Sequence, residues 1–109
     1  MTTLVVLTTV GQLADAHRLA RAMVEQKLAA CAHISEIESF YTWDGEVRND
    51  REWRIQFKTR TALYAHLEEA LRAMHPYKLP GILALRADHV SAEYAGWIDF
   101  NVLQMPATI

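Results

Sequence analysis

The sequence predicts an α+β fold, a ferredoxin-like βαββαβ sandwich with a long central β-hairpin and a short C-terminal helix. Three observations carry that reading. Residues 52–59, behind an Asp-Gly turn, alternate strictly between apolar and polar side chains. Helical patterns flank this hairpin on both sides, and a short β-branched run opens the chain. Elements in this order pack compactly as one antiparallel sheet with two helices on one face. At 109 residues the whole chain, 1–109, reads as a single domain.

Residues 4–9 form a continuous run suited to a strand covered on both faces, and Gly11 ends it. From 12 to about 30, Ala16, Leu19, Ala20, Met23 and Leu28 recur at helical spacing, with Asp15, Arg18, Arg21 and Glu25 on other faces. Residues 31–43 read as a strand whose apolar phase slips near Ser35-Glu36. Ala32 and Ile34 keep one phase and Ile37, Ser39, Tyr41 and Trp43 the other, which predicts a β-bulge. Asp44-Gly45 supplies the turn, because a tight hairpin needs positive φ. On the return strand Trp53, Ile55, Phe57 and Thr59 face the core, while Glu52, Arg54, Gln56 and Lys58 face outward.

Thr61 is the expected cap of a second helix with Leu63, Leu67, Ala70, Leu71 and Met74 as its buried stripe, and Pro76 stops it. Residues 82–85 make a last short strand. Ser91 is expected to cap a third helix carrying Tyr94, Trp97 and Ile98 inward. The tail has little pattern beyond Val102, Leu103 and Met105. Two strands of about a dozen residues each reach on the order of 40 Å, longer than so small a domain covers. The distal aromatics Phe40, Tyr41, Trp43 and Trp53 therefore need covering, by sister subunits as the favoured expectation or by a bent hairpin folded onto its own helices as the alternative.

Composition narrows the function. A formal charge of −2 supplies no basic stripe, so neither nucleic acid nor a membrane surface is expected as a partner. The single cysteine, Cys31, excludes an internal disulfide and every multi-cysteine zinc pattern. No basic leader precedes the first apolar run, so the expected location is cytoplasmic. Nucleophile-elbow and phosphate-loop motifs are missing, and residues 8–14 lack the Arg of an anion loop. The chain reads as non-enzymatic.

The histidines at 17, 33, 66, 75 and 89 are scattered without a His-x-His or His-x₃-His pair. His75 is the candidate metal ligand, with Met74 as a soft neighbour. Its structural alternative is a ring facing the last carbonyls of the second helix. Cys31 and His33 share a strand face, but between two alanines Cys31 reads as a small buried hydrophobe. Lys58 and Glu52 share the outer face of their strand. With Lys27 and the Tyr77 hydroxyl they are candidates for an inter-subunit cleft, or for a polar set that fixes subunit register. Pro76, Tyr77 and Pro80 are expected to form a rigid turn packed on a neighbour.

Five segments in register carry a family resemblance: Lys27-Leu28-Ala29-Ala30-Cys31-Ala32, Ser39-Phe40-Tyr41-Thr42-Trp43-Asp44-Gly45, Lys58-Thr59, His75-Pro76-Tyr77-Lys78-Leu79-Pro80 and Tyr94-Ala95-Gly96-Trp97. In this order and spacing the chain resembles the CutA divalent-cation tolerance family over essentially its whole length. The resemblance implies a homotrimer of ferredoxin-like subunits that exchange strand pairings, with Tyr41, Trp43 and Trp97 added to the cleft or interface candidates. It also implies a link to copper tolerance. Some relatives use a first-strand Cys and consecutive His as copper ligands, where this chain has Thr8, Met74 and His75. Gly81 and Val90 are further departures from the family pattern. The expectation is a protein requiring no cofactor and binding copper(II) or another divalent cation weakly. The alternatives are a PII-like trimer sensing a small ligand and a structural scaffold trimer.

Overall fold

The computed structural model describes residues 2–104. It contains β1 (Thr3–Val10), α1 (Leu13–Glu25), β2 (Cys31–Trp43), β3 (Glu46–Arg60), a 3₁₀ turn (Thr61–Leu63), α2 (Tyr64–Met74), β4 (Ile82–Arg86) and α3 (Ala92–Phe100). The strands form one antiparallel sheet in the order β2-β3-β1-β4. This is the predicted βαββαβ arrangement with an added helix. Met105, singled out in the sequence, lies outside the described residues.

The alternation of β1 and β3 decides which sheet face is covered. Leu4, Val6 and Val10 pair with Thr59, Phe57 and Trp53, and Thr8 pairs with Ile55. These side chains meet Ala16, Leu19, Ala20 and Met23 of α1 and Leu67 and Leu71 of α2 in the main core. Burying such side chains contributes about 1.5–3 kcal/mol each. The outer face, turned away from α1 and α2, carries Val5, Leu7, Leu83 and Leu85 beside Arg54, Gln56 and Lys58. A second cluster of Ala30, Leu63, Ile98 and Val102 docks α3 at one end.

The hairpin pairs without interruption from Cys31↔Lys58 to Trp43↔Glu46, so the expected β-bulge at Ser35-Glu36 does not exist. The apolar phase slips for another reason. Ala32 and Ile34 lie under the helices, whereas the next residues on that face, Glu36 and Glu38, stand beyond them in solvent and bind Arg51 and Asn49. Past that point the helices no longer favour one side, and apolar groups stand on both, Phe40 on the face of Ala32 and Ile34 and Tyr41 and Trp43 on the outer face. The ribbon continues outward to an Asp44-Gly45 turn with φ 51° and 76°, as the sequence requires. It stretches the molecule to 47 Å, with a radius of gyration of 14.8 Å, above the about 13 Å of a compact chain this long.

Two expected caps fare differently. Ser91 accepts the Tyr94 N–H at 3.3 Å. Thr61 caps nothing; its hydroxyl donates to the Thr2 carbonyl and the helix begins through the 3₁₀ turn. On α3, Ile98 is buried as expected, but Tyr94 and Trp97 are exposed and stack on each other. Among the described residues no helix is long and apolar enough to cross a membrane.

Candidate functional site

The loop after α2 builds the site. Pro76 excludes helical geometry at the preceding residue, and His75 is accordingly extended with ψ 135°. Its ring does not face the helix carbonyls. It turns to β1, where Nε2 lies 3.0 Å from Thr8 Oγ1, while Nδ1 accepts the Tyr77 N–H at 3.1 Å. With Nδ1 occupied as an acceptor, the proton sits on Nε2 and is donated to Thr8. Both partners are buried. Burial lowers the imidazole pKa below its ordinary 6.5, and a hydrogen bond to the Thr9 backbone offsets part of that.

Tyr77 continues outward, its ring tilted against His75 at 5.1 Å, and its hydroxyl donates to Glu52 Oε2 at 2.8 Å. Burial, then the Glu52 hydrogen bond, push this phenol well above its usual value. On the neighbouring strand Tyr41 donates to Asp50, which raises its own phenol pKa. Tyr41, Trp43, Glu52 and Tyr77 thereby line one open groove of about 770 Å³, together with Phe40 and Leu79. Aromatic walls around a few fixed polar groups suit a ligand or a packed partner.

The remaining sequence candidates lie elsewhere, so one subunit does not bring all seven into a single cleft. Lys58 is six residues from Glu52 along β3, roughly 20 Å at a strand's rise. Its ammonium lies 3.5 Å from His33 Nδ1. Lys27 follows α1, and Trp97 is on α3. Cys31 is partly exposed rather than buried, with its sulfur 3.6 Å from the Tyr94 hydroxyl. Tyr94 and Asp50 were missed as site residues, because their roles depend on pairings that sequence spacing does not encode. The Thr8–His75 contact joins residues 67 apart and is equally invisible locally.

Thr8, Met74 and His75, the positions that the resemblance links to copper, are close in space but poorly suited to a tight centre. Both imidazole nitrogens are engaged, Thr8 is a hydroxyl, and Met74 packs against the core. Among the described residues no three His, Cys, Asp or Glu side chains converge. A cation reaching His75 has to displace a hydrogen bond from one of its ring nitrogens.

The family model described as CutA1 divalent ion tolerance protein matches residues 4–101. A divalent-cation tolerance protein CutA from Thermus thermophilus is 41% identical over 98 residues, covering 89% of this chain and 95% of its own. Its counterpart from Thermotoga maritima is 37% identical over 100 residues, covering 92% and 99%. The crystal structure of CutA1 from Oryza sativa matches with a TM-score of 0.92 at 34% identity, covering 96% of this chain and 97% of that one.

Proposed function

The chain belongs to the CutA1 divalent ion tolerance family, and on that premise we propose that it is a homotrimeric divalent-cation tolerance protein that binds copper(II) or a similar ion weakly, without catalysis. The observation that carries this reading is the extent of the match, which spans residues 4–101 and so takes in both Thr8 and His75. The expected weakness follows from the donor set. One imidazole per subunit is available, and freeing it costs a buried hydrogen bond.

Assembly is supported by the surface that a single subunit leaves uncovered. Phe40 is 70% exposed and Trp43 49%, both on the projecting ribbon. Among the described residues the outer edges of β2 and β4 have no partner strand. Exposed edges of this kind invite pairing with another chain, and a closed ring satisfies them without open-ended growth.

A thermal-shift series with Cu(II), Zn(II) and Mg(II) at neutral pH tests the reading. An ion that binds only the folded state raises the melting temperature, and at a given concentration a tighter ion raises it more. The expected result is a small, concentration-dependent rise with Cu(II), less with Zn(II) and none with Mg(II). An unchanged melting temperature with every ion would overturn it.

A further inference from the structure

The outer face of the sheet, at the end away from the hairpin tip, holds a second group of side chains that the cation reading does not use. Cys31 sits directly opposite Lys58 in the β2–β3 ladder, and His33, two residues on, points to the same face. The Lys58 ammonium lies 3.5 Å from His33 Nδ1. On the other side of Cys31 the Tyr94 hydroxyl approaches the sulfur at 3.6 Å, and the Tyr94 ring stacks on Trp97 at 5.8 Å between centroids and 7° between planes. These five side chains form one continuous run, with a flat aromatic pair at one end and a cationic corner at the other.

The charge balance of this run decides what it can recognise. It contains no carboxylate, and Lys58 makes no ion pair among the described residues. With His33 Nδ1 accepting from Lys58, Nε2 carries the ring proton and offers a second donor. Within one subunit Trp97 remains 46% exposed after stacking on Tyr94, so its ring offers a platform on that subunit's surface. Charge-assisted donors select an anion, and a free indole selects a planar ring.

We propose that this outer face binds a planar aromatic anion, with the ring stacked on the Trp97–Tyr94 pair and the negative group held by Lys58 and His33. The site is separate from the cation reading, because Thr8 faces the helices on the opposite side of the sheet. An aromatic carboxylate and a nucleoside monophosphate share the required chemistry.

Calorimetric titration of the intact protein with 2-naphthoate, 2-naphthalenemethanol and acetate separates ring from charge, and adenosine 5′-monophosphate supplies the phosphate arm. Saturable binding is expected for at least one of the two aromatic anions, and whichever binds more tightly identifies the anionic group. The neutral alcohol and acetate should each bind at least about tenfold more weakly, the scale of a lost charge-assisted bond or a lost stacking contact. Lys58→Gln and Trp97→Leu should each weaken binding by about tenfold, while Lys58→Arg and Trp97→Phe retain most of it and serve as controls for folding. No saturable binding of either aromatic anion would overturn the proposal. So would equal affinity for the neutral alcohol, or unchanged binding in both Lys58→Gln and Trp97→Leu.

Discussion

The Tyr77 hydroxyl donates to Glu52 at 2.8 Å across 25 residues of sequence, tying the loop after α2 to the middle of β3. Gly11, just past β1, leaves the space for it, since a Cβ there would stand 3.2 Å from the Tyr77 oxygen. One phenol thus bridges the loop and β3, in a space that the glycine after β1 leaves open.

Tyr77→Phe should lower stability by about 0.5–1.5 kcal/mol, the net worth of an ordinary hydrogen bond. Gly11→Ala should also destabilise, and by less when Tyr77 is already Phe, because the crowded oxygen is gone. Urea unfolding of the two single variants and the double variant measures this coupling. Strict additivity would separate Gly11 from the phenol.

His75 predicts an acid-side loss of stability. Burial holds its pKa below 6.5 in the folded state, so the unfolded chain takes up the proton first as pH falls. The contribution is complete above about pH 6.5 and is lost as pH falls through the folded value. Urea midpoints should decline from about pH 7 to about pH 5, and the decline should be smaller in His75→Gln.

Lys27 occupies a position that favours glycine. Its φ is 59°, and it closes α1 with Leu28 N–H bonded to the Met23 carbonyl and its own N–H to that of Val24. Lys27→Gly should stabilise by up to about 1 kcal/mol by relieving left-handed strain, less the entropy that glycine adds to the unfolded chain. Thermal unfolding reads the sign directly.

How much of this was legible in the sequence depended on range. The alternation of Trp53, Ile55, Phe57 and Thr59 and the Asp44-Gly45 turn encode local geometry, and both appear as expected. The phase slip in β2 was real but misread. Periodicity reports which side is covered, and here the covering layer ends while the strand runs on. Tyr94 and Trp97 carry apolar bulk at helical spacing, yet Ile98 alone of the three turns into the core. His75 was named, but its partner Thr8 is fixed only by the packing of α2 on β1.

The projecting aromatics predict a response to charge. In the proposed trimer Trp43→Asp or Tyr41→Asp places a carboxylate in a desolvated interface, which is costly without a partner. Light scattering should give about three chain masses for the unaltered protein, a count implied by the family resemblance, and a shift toward smaller species for either variant. A stable monomer of the unaltered protein would contradict the assembly.

The most direct measurement is calorimetric titration of the protein and of His75→Ala with Cu(II), at neutral and at mildly acidic pH. Weak uptake is predicted at neutral pH, falling as the medium is acidified and protons compete for the imidazole, and absent from His75→Ala. Cys31→Ala should leave the uptake unchanged. Tight, stoichiometric Cu(II) binding that survives His75→Ala would contradict the account.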